Sequence, residues 1–299
     1  MRVVSTLAEL RQARAELPEP LGLVPTMGFL HEGHLSLVRR AKTECASVGV
    51  SIFVNPTQFG PTEDLSAYPR DLDADLRLLS HAGTDLVWTP EVGEVYPAGY
   101  QTWIHVEEVS QPLEGARRPG HFRGVATVVA KLFNAFQPRR AYFGQKDAQQ
   151  VVVVRRMAQD LDFPVEIVVC PTLREADGLA MSSRNAYLNP AERKAAGVLH
   201  RALTAAQNGF QRGERDAERL RAAMLEVLSQ EPLARPVYMS AADPQTLQEL
   251  TGPVEKALLS LAVQVGKPVL IDNLVIGERA LDRGEGLHNK SSRGGWACS

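Results

Sequence analysis

Two histidines three residues apart, His31 and His34, lie in the segment PTMGFLHEGH at residues 25–34. The segment follows an apolar run at residues 21–24 that predicts a strand, and it leads into a helical pattern. Its two glycines allow the backbone to approach a ligand closely, and a helix N-terminus offers N–H groups to phosphate. Neighbouring imidazoles could donate hydrogen bonds to the phosphate oxygens of a nucleotide whose leaving group gathers charge.

The histidine pair has two other interpretations. Histidines at this spacing also occur as incidental surface residues, because short motifs often match by chance. A zinc site would need further ligands, and the sequence places no Cys, His and Asp cluster nearby. The position between a strand and a helix, with glycines alongside, favours nucleotide phosphate.

A second polar segment, GQKDAQQ at residues 144–150, also follows a predicted strand and begins a helix. Lys146 offers a point charge to phosphate. Asp147 could cap the helix or accept a hydrogen bond from a ribose hydroxyl. Gln150, one helical turn after Lys146, could bind a polar substrate. An ordinary capped turn with solvated charges would explain the same residues.

Three further segments have possible ligand roles. AMSSRN at residues 180–185 offers two hydroxyls and a guanidinium, which suit a developing pyrophosphate, and a hinge there could close over a bound nucleotide. NPTQF at residues 55–59 places Gln58 after a strand, and residues 117–124 carry cations and a histidine before a helix. The alternatives are a flexible polar linker for the first segment and plain connecting loops for the other two.

The elements that would position these segments follow an α/β pattern. Apolar runs alternate with helical patterns, the strands at residues 21–24, 48–54, 85–88, 141–143 and 165–169 and the helices at residues 35–46, 69–81, 124–136 and 148–161. This alternation predicts a Rossmann-like parallel sheet in a domain at residues 1–178. Ligands are then expected beyond the carboxyl ends of the strands.

The pattern changes in residues 179–277, which predict a smaller α+β lid domain joined at residues 174–184. A capping box at residues 189–192 begins a helix expected to run to residue 208. A second helix at residues 214–229 and strands at residues 237–241, 257–265 and 269–276 follow. Residues 278–299 are polar and glycine-rich, which is typical of a poorly ordered tail.

Composition narrows the possible partners. The 299 residues are 44% hydrophobic and carry a net charge of −2, so no global field attracts nucleic acid or an anionic membrane. No apolar run reaches the roughly 18 residues needed to span a bilayer. Three cysteines are too few for a disulfide framework, and Cys45 and Cys170 have apolar surroundings typical of buried thiols. We therefore expect a cytoplasmic protein that binds small molecules.

Taken together, these motifs resemble a known family. PTMGFLHEGH is similar to the HIGH-type signature of the nucleotidyltransferase superfamily, in the form found in pantothenate synthetases, and MSSR resembles that family's counterpart of the KMSKS loop. NPTQF, RPGHFRGV, FGQKDAQQ and READGLAMSSRN match further family motifs in order and spacing, and the resemblance covers residues 1–277. Alanine at position 180, where the superfamily loop carries its first lysine, leaves more of the positive charge to Lys146.

The resemblance implies a set of site residues. It assigns ATP contacts to Met27, Gly28, Phe29, Leu30, His31, Glu32, Gly33, His34, Gly144, Gln145, Lys146, Asp147, Leu173, Met181, Ser182, Ser183 and Arg184. It assigns pantoate to Gln58 and Gln150, with Gln58 also near β-alanine, and catalytic roles to His34, His31 and Lys146. It implies no protein-bound metal site, magnesium accompanying ATP, and a homodimer.

The activity implied is ATP-dependent joining of pantoate to β-alanine through pantoyl adenylate. A nucleotidyltransferase that makes a dinucleotide or a CDP-alcohol is the main alternative, but it would not need Gln58 and Gln150. A tRNA synthetase is disfavoured because the chain is short and acidic. A catalytically inactive nucleotide sensor would not need the complete set of aligned charges.

Overall fold

The computed structural model describes residues 1–60, 65–66 and 68–277. Within these ranges, a six-stranded sheet consists of β1 (Arg2–Val4), β2 (Leu21–Thr26), β3 (Ser47–Ile52), β4 (Leu86–Trp88), β5 (Arg140–Gly144) and β6 (Glu166–Cys170). The strand order is β1-β4-β3-β2-β5-β6, and every neighbouring pair is parallel.

Helices cover both faces of this sheet. They are α1 (Leu7–Ala15), α2 (Glu32–Glu44), α3 (Leu72–His81), the short α4 (Val92–Val95) and α5 (Glu114–Arg117), α6 (His121–Phe136) and α7 (Ala148–Asp160). Alternate residues of β2 point to opposite faces, as in any strand. Val24 packs with α2 and α3, whereas Leu21 and Leu23 pack with α1, α6 and α7. The parallel sheet is therefore buried on both sides, which explains its nearly continuous apolar strands.

The strand order reverses between β2 and β5. The chain moves from β2 to β3 on one side and from β5 to β6 on the other, so connecting segments diverge at this point. In open parallel sheets such a switch point leaves a crevice beyond the carboxyl ends of the strands. β2 ends at the histidine segment and β5 ends at the Lys146 segment. The topology thus brings the two candidate phosphate segments to the same crevice.

A smaller antiparallel sheet follows, with β7 (Ala234–Ala242), β8 (Ala257–Val265) and β9 (Val269–Ile276) in sequential order. α8 (Pro190–Ala196), α9 (Val198–Gln211) and α10 (Ala217–Ser229) accompany it, and their apolar faces share one core with the sheet. The predicted fold class is confirmed, a Rossmann-like sheet with a smaller α+β unit. The boundary after residue 178 stays a prediction.

Two local predictions differ from the structure. The single helix expected at residues 190–208 is wrong, because Gly197 separates α8 from α9. The sequence pattern does not predict β1 or α1, because β1 has three residues and only Leu10 and Ala13 of α1 are buried, so neither element carries a strong apolar pattern. The capping box of Asn189 and Glu192 is present as expected. The predicted tail at residues 278–299 lies outside the described residues.

Cys45 and Cys170 are buried free thiols, as predicted, whereas Cys298 falls outside the described ranges. Among the described residues, no helix is both long and apolar enough to cross a membrane.

Candidate active site

A cleft with a cavity volume of about 220 Å³ opens at the carboxyl ends of β2, β3 and β5. It collects residues from each segment that the sequence singled out. The predicted residues in its lining are Met27, His31, Gly33, His34, Gln58, Gly144, Lys146, Asp147, Gln150, Leu173, Met181, Ser182, Ser183 and Arg184. With Arg118 and His121 of residues 117–124, residues from five distant parts of the chain face one space.

The two histidines begin α2 and cap it. The Nδ1 atom of His31 accepts the N–H of Gly33 at 3.2 Å, and the Nδ1 atom of His34 accepts the N–H of His31 at 3.3 Å. Because an accepting Nδ1 carries no proton, each neutral ring holds its proton on Nε2. The ring centroids lie 4.1 Å apart. The capping arrangement thus presents two Nε2–H donors side by side.

Both rings are kept neutral by their surroundings. Burial, with a smaller contribution from the neighbouring His31, lowers the pKa of His34 to about 3. Burial and the charge of Lys146 lower the pKa of His31 below its ordinary value. The pair therefore acts through hydrogen-bond donation at neutral pH and not through positive charge.

A buried carboxylate fixes the loop that precedes the histidines. Asp75 of α3 is 2% exposed, and its two oxygens accept the N–H groups of Phe29 at 2.8 Å and of Leu30 at 2.7 Å. Phe29 has a φ of +52°, a conformation that most residues avoid, and Gly28 before it has a φ of +81°. The two hydrogen bonds that Asp75 accepts hold this strained turn in place.

Gly33 is required for a steric reason. A Cβ at this position would lie 2.8 Å from Cε1 of His31, so a larger residue would displace the imidazole that caps the helix. The glycine in the motif therefore serves the histidine beside it.

Charge at the other wall of the cleft comes from the segment after β5. Lys146 and Asp147 lie in a 3-10 helix, Gln145–Asp147, and the Lys146 Nζ is 3.4 Å from Asp147 Oδ1. Burial acts to raise the pKa of Asp147, but Lys146 and Arg184 outweigh it, so this pKa is lowered and the carboxylate is ionised. Asp147 makes no side-chain cap hydrogen bond to α7, so the capping interpretation is wrong.

The charge balance of the cleft favours anions. Its lining contains three cations, Arg118, Lys146 and Arg184, and one carboxylate, Asp147, while His31 and His34 are neutral. A phosphate-rich ligand fits this balance.

Gln58 closes the cleft beside β3. Its Oε1 accepts a hydrogen bond from Asn55 Nδ2 at 3.1 Å, and its Nε2 lies 3.0 Å from the sulfur of Met27. The Gln58 carbonyl accepts from Nδ1 of His121 at 2.8 Å, while Arg118 donates to Nε2 of the same ring at 3.1 Å. The segment at residues 117–124 is thus part of the site, through Arg118 and His121, and not a plain loop.

The consecutive glutamines of α7 face different surroundings. Gln150 lines the cleft. Gln149 is 6% exposed, accepts the N–H of Glu114, and donates to the carbonyls of Val109 and Pro112. Only Gln150 is therefore placed to meet a substrate.

The segment at residues 174–184 forms a hairpin rather than a loose linker. Arg174 and Ala180 form an antiparallel bridge, and the Met181 N–H bonds to the Leu173 carbonyl at 2.9 Å. Ala180 is 3% exposed, so a lysine at this position would have to be accommodated in a buried place. Met181, Ser182, Ser183 and Arg184 follow the hairpin into the cleft.

Five residues predicted to contact ATP do not line the cleft: Gly28, Phe29, Leu30, Glu32 and Gln145. Phe29 and Leu30 are bonded to Asp75, Glu32 pairs with Arg39 on the surface, and Gln145 donates to Asn273 at 2.8 Å. Phe29, Leu30 and Gln145 thus help to fix the loops that carry the lining residues.

Sequence reasoning missed several residues that position the site. Asp75 left one signal, because this acid stands one turn before Leu79, on the face of α3 that the helical spacing predicts to be apolar. Tyr68, whose hydroxyl is 3.5 Å from Ser183 Oγ, and Asn273 left none, since their partners are distant in the chain.

The described residues hold no group of three or more His, Cys, Asp or Glu side chains that could bind a metal ion, which leaves the zinc interpretation unsupported. The fold and the cleft instead define a class: an α/β protein with an electropositive site at the switch point of a parallel sheet, suited to a phosphate-bearing ligand.

Comparison with known proteins gives the family. The family model described as pantoate-beta-alanine ligase matches residues 2–275. The pantothenate synthetase of Roseiflexus sp. (strain RS-1) is 63% identical over 276 residues, covering 92% of this chain and 99% of that protein. That of Herpetosiphon aurantiacus is 62% identical over 277 residues, covering 92% and 100%. The chain therefore belongs to the pantoate–β-alanine ligase family of enzymes.

Solved structures agree. A crystal structure of pantothenate synthetase from Thermus thermophilus superposes with a TM-score of 0.88 at 52% identity, covering 92% of this chain and 99% of that one. The pantoate-beta-alanine ligase from Francisella tularensis, complexed with beta-gamma ATP and beta-alanine, gives 0.75 at 34% identity, with 92% and 97% covered.

Proposed function

We propose that this enzyme condenses pantoate with β-alanine at the expense of ATP, through a pantoyl adenylate, and releases AMP and pyrophosphate. One observation carries the proposal: a single cleft joins neutral imidazole donors, cations and two glutamines. Family membership supports the same substrates, as does the related Francisella tularensis ligase, which was crystallised with beta-gamma ATP and beta-alanine.

In the first step, a carboxylate oxygen of pantoate bonds to the α-phosphorus, and the bond from that phosphorus to the pyrophosphate oxygen breaks. Charge gathers on the departing pyrophosphate. The Nε2–H groups of His31 and His34 would donate to phosphate oxygens, and Lys146 and Arg184 would balance the charge. Fixed donors and cations lower the barrier because they need no reorganisation during the reaction.

The two glutamines would bind pantoate. Its hydroxyls need neutral hydrogen-bond partners, and Gln58 and Gln150 provide amides without pairing the nucleophilic carboxylate. Asn55, which is fully buried, orients the Gln58 amide by donating to its Oε1.

In the second step, the amine lone pair of β-alanine attacks the acyl carbon of the adenylate. The bond from that carbon to the AMP oxygen breaks, and the amine nitrogen loses a proton. The hydroxyls of Ser182 and Ser183, which line the cleft after the hairpin, would help exclude water from the adenylate.

Magnesium is proposed to enter with ATP. It typically keeps several waters and is bound by phosphates with one or two carboxylates, and Asp147 is an ionised carboxylate in the lining that fits this requirement. When bound, the ion would neutralise phosphate charge. We also propose that the protein is cytoplasmic and that it forms a homodimer. Sedimentation velocity would test the dimer.

The test is incubation with ATP, magnesium, pantoate and β-alanine, with separation of the products. We expect pantothenate with equimolar AMP and pyrophosphate. Omitting β-alanine should leave pantoate-dependent pyrophosphate release of about one equivalent per enzyme site. ADP as the product, or turnover without pantoate, would contradict the proposal.

A further inference from the structure

Asn273 lies on β9 of the second sheet, yet its side chain is bonded to the ATP-site loop of the first. It is 3% exposed, and its Nδ2 donates to the carbonyls of Gln145 and Lys146, both at 2.9 Å. Its Oδ1 accepts from Gln145 Nε2 at 2.8 Å. Both amide protons and one acceptor site of this side chain are therefore committed to two consecutive residues.

These bonds fix the peptide units that carry Lys146. In a trans peptide the N–H points opposite to the C=O, so carbonyls held toward β9 turn the N–H groups of Lys146 and Asp147 away from it. Because the side-chain amide of Asn273 binds two consecutive carbonyls, the 3-10 helix has little freedom to rotate. The direction in which the Lys146 side chain leaves the backbone is thus set by a residue 127 positions later in the chain.

The preceding residue anchors the other cationic segment. Asp272 has a side chain that is 1% exposed, and it pairs with Arg174 through two bonds, of 2.6 and 3.0 Å. Arg174 also donates to the Gly178 carbonyl at 3.0 Å, across the hairpin that leads to Arg184. Neighbouring strand residues point to opposite faces, so one dipeptide of β9 can hold both loops.

We propose that Asn273 is a positioning residue for Lys146: the second sheet sets the place of this cation through the Gln145 and Lys146 carbonyls. Asp272, on the same strand, holds the hairpin that precedes Arg184 through its ion pair with Arg174. The inference rests on the proposed ATP chemistry only for the role of Lys146, since the hydrogen bonds themselves belong to the fold.

A different function would be simple attachment of the two sheets. In that case, loss of Asn273 would lower stability and activity without regard to Lys146. Positioning predicts instead that the defect exists only while the lysine is present, which a double-mutant cycle can measure.

The test combines Asn273→Ala with Lys146→Ala. We measure pantoate-dependent pyrophosphate release, and also the Kd of a non-hydrolysable ATP analogue with magnesium. Asn273→Ala should reduce kcat by about 10-fold to 100-fold, because a displaced catalytic group loses alignment. In the Lys146→Ala background, adding Asn273→Ala should lower kcat and affinity by less than about 2-fold further.

Ser260→Ala is the matched control. Ser260 is the register partner of Asn273 on β8, is also buried, and its hydroxyl makes no hydrogen bond within the part of the chain that is described. Its kcat should stay within about 2-fold of wild type. Gln145→Ala, which removes only the bond to Oδ1, should repeat the Asn273 pattern at smaller magnitude and serves if Asn273→Ala does not fold.

Multiplicative defects in the double variant, or wild-type activity in a folded Asn273→Ala, would overturn the proposal. A wild-type protein that binds the ATP analogue but forms no pantothenate would refute the proposed function instead, and the cycle would still be read from the analogue's Kd.

Discussion

The loops after β2 and after β5 reach the same cleft but are supported differently. The first, which carries His31 and His34, is held by Asp75 of α3, a helix of the same sheet unit. The second, which carries Lys146, is held by Asn273 of the other sheet. The neutral donors are thus positioned within one unit, whereas the cation depends on the contact between two.

The largest effect should come from the chemistry of the first loop. His34→Ala removes one of the paired Nε2–H donors, and we expect adenylate formation to fall by roughly 10²-fold to 10⁴-fold. Pyrophosphate release in single-turnover reactions measures this step. The exposed His105→Ala is the control and should behave as wild type. Pyrophosphate release at the wild-type rate in His34→Ala would remove this histidine from the mechanism.

A smaller effect is expected at the support of that loop. Asp75→Asn replaces one of the accepting oxygens by an amide donor facing a backbone N–H, so the turn at Phe29 loses one bond. We expect kcat to fall by roughly 10-fold to 100-fold as the histidines shift. Steady-state assays report kcat and KM for ATP separately, with unfolding midpoints measured alongside.

Asp73→Asn tests whether charge alone explains the Asp75 result. Asp73 is an exposed acid on the same helix and should tolerate the change. If Asp75→Asn were as active as Asp73→Asn, Asp75 would not support the loop that carries His31 and His34, and the comparison between the two loops would fail.

The smallest effect concerns the pH dependence of stability. The pKa of His34 is about 3 in the folded protein and 6.5 when unperturbed, so the unfolded state binds the proton more readily. The stability contribution is therefore present above pH 6.5 and is lost as the pH falls toward 3. Between pH 7 and pH 5, wild type should lose roughly 1–2 kcal/mol more than His34→Gln.

Urea unfolding at pH 7, 6 and 5 measures this difference. Glutamine can still accept the His31 N–H through its side-chain oxygen, so the cap is preserved while the titrating ring is absent. His105→Gln, at an exposed site, should retain the wild-type pH dependence. Parallel pH profiles for wild type and His34→Gln would mean that the first loop does not exclude protons from this ring.

Local patterns were sufficient for much of the molecule. Alternating strands and helices predicted the parallel sheet, and the placement of motifs after strands predicted which segments converge. These patterns do not predict short elements with few buried residues, such as β1. They also do not predict the break at Gly197, where helical periodicity continues through a turn. Asp75 and Asn273, which hold the site loops, could not be predicted because their hydrogen-bond partners are far away in the chain.

The sequence by itself determined the chemistry of the site: which side chains could donate, carry charge or bind hydroxyls, and that they follow strands. Only the tertiary structure decided the protonation of these side chains and which residues hold their loops in place. It shows that the histidines cap α2 through Nδ1 and so present Nε2–H, and that burial keeps both neutral. It also places Asp75 and Asn273 behind the loops, because hydrogen bonds between distant segments depend on packing and not on local pattern.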